Sequence, residues 1–143
     1  MKKLSRLQAL LTIAVLAAGT ASITRADHDG GTKNAETRLR TRLAGAAIQG
    51  KTPEGNADFR MDDKGRTRLN VEVENVNLAA GTVLDVSIQH GMTSTVVGHI
   101  TLSALGFGEL ELNSQDGDAV PAVQSGDMVI VKNGTAAILT GVF

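Results

Sequence analysis

The residues of this chain best equipped for chemistry are its histidines, His28, His90 and His99, and the carboxylates near them. A zinc or copper site takes three or four ligands from His, Cys, Asp or Glu that converge on one point. Cysteine is absent, so carboxylates would have to complete any such set. His90 carries the apolar phase of Leu84, Val86 and Ile88 into a turn, whereas His99 is out of phase with Val96 and Ile100 and should face water. If their strands pair as a hairpin, His90 and His99 could come within reach on one edge and form a metal pair; otherwise they are ordinary surface histidines.

Other groups offer less. Asp27-His28-Asp29 could chelate Cu²⁺ or Ni²⁺ weakly as a free N-terminus, or be a solvated tail. Asn113-Ser114-Gln115-Asp116-Gly117-Asp118 presents oxygens in a tight loop, but without the Asp-x-Asp-x-Asp-Gly spacing and bidentate Glu of a calcium loop, so turn chemistry is the expectation. Glu72/Glu74 and Glu109/Glu111 are i, i+2 pairs that share a strand face. Paired acids can cleave glycosides when held across a cleft, but these occupy the wet phase of an alternating pattern. There is no Gly-x-Ser-x-Gly elbow, no defensible triad among Ser87, Ser94 and Ser103, and no phosphate-cradling loop, since Gly106-Phe107-Gly108 leads into a strand. Asn133-Gly134-Thr135 matches a glycosylation sequon but reads better as a hairpin turn. A non-catalytic protein without a cofactor is therefore expected, because an activity has to be argued from a site.

The most distinctive charged stretch is Arg38-Leu39-Arg40-Thr41-Arg42-Leu43, which puts Arg38, Arg40 and Arg42 on one strand face. These arginines are the candidate interaction surface for an acidic protein or an anionic envelope polymer. Alternatively they pair with Glu72, Glu74, Glu109 or Glu111 on neighbouring strands.

The elements that position these groups follow from alternation. Arg68-Leu69-Asn70-Val71-Glu72-Val73-Glu74 alternates without a slip, the period-two mark of a strand with one wet and one buried face. The same pattern recurs over 38–43, 57–61, 84–89, 96–102 and 109–112. Lys51 to Asn56 is expected as a turn-rich loop, and Asp62-Asp63-Lys64-Gly65 as a hairpin connection. Val120-Pro121-Ala122-Val123 is expected as an extended edge segment, Met128-Val129-Ile130-Val131 as a strand buried on both sides, and Lys132-Asn133-Gly134-Thr135 as a type I′ turn into a last strand, 136–143. About eight short strands without a helix predict an antiparallel two-layer sandwich, Greek-key-like, with a small barrel as the alternative.

The N-terminus predicts export. Lys2, Lys3 and Arg6 precede a short apolar run, Ala9 to Ala18, with cleavage points after Ala21 or Ala26. The expected organisation is a secretory signal peptide over 1–26, a flexible leader over 27–36 and one domain over 37–143, secreted or periplasmic, with no membrane span after cleavage. Cleavage after Ala26 removes Lys2, Lys3, Arg6 and Arg25 and leaves ten basic against fifteen acidic residues, a net charge of −5. Nine of the ten fall within 33–68, while 69–143 holds Lys132 alone against eight acids. An acidic chain with one basic stripe is a poor nucleic-acid binder. With no Trp, no Tyr and only Phe59, Phe107 and Phe143, the core must be aliphatic, and carbohydrate- or base-stacking platforms are disfavoured.

Leu43-Ala44-Gly45, Pro53 to Phe59, the Val71/Val73 strand ending Asn75-Val76, and His90-Gly91 together resemble the layout of CHRD-type domains, secreted all-β modules named after the repeats of chordin. The segments 120–123 and 126–131 resemble the closing part of small bacterial exported domains. The family's usual His-x-His pair reads here as Ile88-Gln89-His90-Gly91, with one histidine. The resemblance implies an exported all-β fold and no catalytic activity.

Overall fold

The computed structural model describes residues 35–143. The expected signal peptide and its cleavage points, Asp27-His28-Asp29 and the leader up to residue 34 lie outside the described residues. Every alternating stretch becomes a strand: β1 (Thr37–Ala44), β2 (Glu54–Met61), β3 (Thr67–Glu74), β4 (Val83–His90), β5 (Thr93–Thr101), β6 (Gly108–Asn113), β7 (Met128–Asn133) and β8 (Ala136–Val142). The described residues contain no α-helix, only a 3₁₀ turn at Ser114–Asp116, and so no helix long and apolar enough to cross a membrane.

Period-two alternation sends one set of side chains inward, and they meet in a single aliphatic core. Leu43, Phe59, Leu69, Val71, Val73, Leu84, Val86, Ile100, Val129, Val131 and Leu139 are each at most 3% exposed. Each such side chain contributes roughly 1.5–3 kcal/mol by leaving water. Phe59 is the one fully enclosed ring; Phe107 is 40% exposed. On β7 Ile130 is also buried, as expected for a strand covered on both sides.

The strands form one antiparallel sheet in the order β5-β4-β7-β8-β1-β2-β3-β6, a nearly closed barrel. The all-β expectation holds, and of the two arrangements the barrel alternative is the one adopted, in place of two separate layers. The barrel still has two halves. β1 and β8 join through a single ladder pair, Ala44↔Thr140, beside Gly45, where a Cβ would lie 1.8 Å from the Ile138 carbonyl oxygen. Strands β5 and β6 close the circle by side-chain packing, Leu110 lying over Gly98. Strands β4, β5 and β6 follow one another, with β3 beside β6 and β7 beside β4, so two long connections cross the barrel in Greek-key fashion. The first lowers Val76 into the core and donates its N–H to the Gly106 carbonyl at 3.0 Å. The second carries Val120-Pro121-Ala122-Val123, which joins no ladder but buries Val123.

Two local expectations need correction. Glu54-Gly55-Asn56 is strand rather than loop, because all of β2 is registered against both β1 and β3. Tertiary pairing overrides the turn preference of these residues, and Gly55 admits the Glu72 carbonyl of β3, which would lie 2.3 Å from a Cβ. The β7–β8 turn is also shifted by one residue. Asn133 pairs with Ala136, leaving Gly134-Thr135 as the central residues with Gly134 alone at positive φ (61°), the pattern of a II′ turn rather than I′.

Candidate functional site

Registration of β1, β2, β3 and β6 arranges their outward residues in rows across the strands. One row reads Arg38–Arg60–Arg68–Asn113, the next Arg40–Asp58–Asn70–Glu111, then Arg42–Asn56–Glu72–Glu109, and last Ala44–Glu54–Glu74. The face is therefore segregated, with arginines opposite arginines at one end and glutamates opposite glutamates at the other. Like charges directly opposite on a sheet are destabilising. Cross-strand pairing of Arg38, Arg40 and Arg42 with the four glutamates of β3 and β6 does not occur.

Asp58 is the hub of the basic end. Its Oδ2 accepts from Arg38 Nη2 at 2.7 Å and from Arg40 Nε at 2.5 Å, and its Oδ1 accepts from Arg60 Nε at 3.1 Å. One carboxylate thus serves three guanidiniums. Arg68 lies 3.4 Å from Glu111, and Arg42 donates to Glu54 at 2.8 Å, where the Asn75 amide also donates. Among the described residues no ion pair engages Glu72, Glu74 or Glu109. Sequence reading found Arg38, Arg40 and Arg42 but missed Asp58, Arg60 and Arg68. The available signal was the wet phase of β2 and β3, which holds all three.

Two open depressions lie on this face. One, of about 290 Å³, is lined by Arg38, Arg40, Asp58, Arg60, Arg68, Asn70 and Glu111. The other, of about 430 Å³, lies toward Arg42, Asn56 and Glu72 and has balanced charge. Asn70 lines both, and its Oδ1 is shut off from solvent without a hydrogen-bond donor. The β2–β3 hairpin borders the basic end. There the turn's crowding pushes the Asp62 carboxyl up, but N–H donation from Arg66, the Arg66 side chain, the Lys64 N–H and the Arg66 charge together hold it below its ordinary value.

The histidines stand apart from this face and from each other. His99 is opposite Asp85 on β4, five residues before His90, which is about 17 Å along a strand. The joint His90–His99 site expected from a hairpin is therefore not formed: the hairpin exists, but its register separates them. His99 Nδ1 lies 2.8 Å from Asp85 Oδ1, and His90 Nδ1 lies 2.6 Å from Asp127 Oδ1. Asp127 is 3% exposed, and its Oδ2 accepts from the Gln124 N–H at 2.8 Å, so this pair fastens the second crossing connection to the end of β4. Among the described residues no three His, Cys, Asp or Glu side chains are grouped to hold a metal. In the 113–118 loop, Asp116 and Asp118 accept from the Asn113 side chain and backbone, and Gly117 closes the turn at φ 90°, so its oxygens serve the turn itself.

No family model, curated protein or solved structure matches this chain.

Proposed function

We propose that this protein is an exported, non-catalytic β-domain that acts as an interaction module, docking an acidic group of a protein or envelope polymer on the basic end of its charged face. The observation that carries this reading is the row Arg38–Arg60–Arg68, three like charges on adjacent strands, with Asp58 shared by Arg38 and Arg60 and Glu111 beside Arg68. Such a row costs stability in the free protein, and local costs of this kind concentrate where a sequence serves a contact rather than the fold. Arginine suits the role because its rigid fork binds carboxylate and phosphate in a bidentate manner. The CHRD-type resemblance belongs to the same proposal and is compatible with an all-β barrel. Export rests on the N-terminal pattern Lys2-Lys3-Arg6 followed by Ala9–Ala18.

Titration with two acidic probes, O-phosphoserine and poly-glutamate, followed by amide NMR tests the docking. Shifts should concentrate on β1, β2 and β3 near Arg38, Arg60 and Arg68, and should weaken as salt is raised. Shifts scattered over the β4–β7 face, or none with any acidic probe, would sink the reading. Fractionation of cells expressing the full chain tests export, and an unprocessed product confined to the cytoplasm would contradict it.

A further inference from the structure

We infer that the basic end is a seat for one compact, doubly charged oxyanion, a phosphate monoester carried by the partner, rather than for an extended run of acids. This inference rests on the docking reading above and narrows it. Its first support is charge. Asp58 offsets one of the guanidiniums of Arg38, Arg40 and Arg60, so two positive charges remain, while Arg68 is balanced by Glu111. A phosphate monoester carries about −1.5 to −2 at neutral pH and matches that surplus, whereas a single carboxylate does not.

Donor geometry is the second support. Asp58 engages Arg40 and Arg60 only through Nε, which anchors both guanidiniums and leaves their Nη groups available, while it holds Arg38 through Nε and Nη2 and leaves Nη1. Arg38, Arg60 and Arg68 sit on successive strands about 4.8 Å apart, a spacing at which several guanidiniums can converge on the oxygens of one tetrahedral group. Asp58 is thus a positioning residue: it aims the forks without touching the ligand.

The third support is the boundary. The basic end is an island. Glu111 stands in the adjacent row, and four residues along the strands, about 13 Å, the face turns to Glu72 and Glu109, which have no ion-pair partner among the described residues. In the other direction Glu36 and Asp62 line the adjoining depression. A polyanion long enough to gain from several contacts would run onto these carboxylates, whereas a single phosphate group would not.

The test compares O-phosphoserine, serine and poly-glutamate as ligands of the full chain by amide NMR titration, with Arg60→Gln and Arg42→Gln variants. Both arginines are exposed on strand faces, and the melting temperature of each variant checks folding. The expected result is saturable binding of phosphoserine but not serine, with shifts centred on Arg38, Arg60 and Arg68. Arg60→Gln should weaken it at least tenfold and Arg42→Gln less than twofold. Poly-glutamate binding at this end while phosphoserine does not bind overturns the compact dianion and leaves the docking reading standing. If neither ligand binds, both fall. Equal losses in the two variants would overturn the assignment to this row.

Discussion

Glu72 of β3 and Glu109 of β6 stand directly opposite one another on the outer face, and among the described residues neither has an ion-pair partner. The pair is repulsive, so reversing one charge should stabilise the fold. Glu109→Lys is expected to raise unfolding free energy by about 0.2–1 kcal/mol at low salt, with the gain shrinking as salt is added. Urea denaturation at two ionic strengths checks this. A loss of stability at low salt would mean that the two carboxylates do not face each other.

Asp62 gives a pH prediction. Its carboxyl is held below its ordinary value in the folded protein, so its contribution is present above the unfolded pKa, about 3.9, and is lost as pH falls through the lower folded value. Asp62→Asn should therefore lower the melting temperature at neutral pH, and the difference from the parent should vanish in strong acid. A difference that persists or grows below pH 3 would show that the effect comes from the turn's geometry rather than its charge.

The barrel's two joins should respond differently to one added methyl. At Gly45 a Cβ meets the Ile138 backbone oxygen at 1.8 Å, and backbone at the only β1–β8 ladder pair cannot easily yield. At Gly98 the nearest atoms are the Leu110 methyls at 2.7 Å, which can rotate away. Gly45→Ala is expected to cost about 3 kcal/mol or more and Gly98→Ala about 1 kcal/mol. Equal costs in thermal or chemical denaturation would contradict the asymmetry of the joins.

Asp127 ties together His90 and the Gln124 N–H through its buried carboxylate and, separately, the Phe143 N–H at 2.9 Å through its backbone carbonyl. Asp127→Ala is expected to cost about 1.5–3 kcal/mol through loss of hydrogen bonds to a charged acceptor. His90→Ala should cost less, because the imidazole is 70% exposed and water can take its place. Hydrogen exchange should quicken at Gln124 in the first variant, since the Phe143 N–H keeps its backbone acceptor. If exchange there is unchanged, Asp127 is not the fastening point.

Alternation was enough to read most of the strands and their buried faces, because the pleat forces successive side chains to opposite sides whatever the neighbouring strand is. The exception is β5, where a register shift between its pairs with Val86 and Ser87 leaves Val96, read as buried with Ile100, 55% exposed. Leu69, Val71 and Val73 could go nowhere but inward, and Arg38, Arg40 and Arg42 nowhere but outward. Which strands become neighbours is a long-range matter: β3 meets β6, and β7 reaches β4, only through connections that cross the barrel. Register then decides which wet residues meet. It set Arg60 between Arg38 and Arg68, gave Asp58 three guanidiniums, put Glu72 against Glu109, and carried His99 away from His90. Alternation is blind to this, since sliding a strand by two residues keeps every side chain on its face while changing every partner.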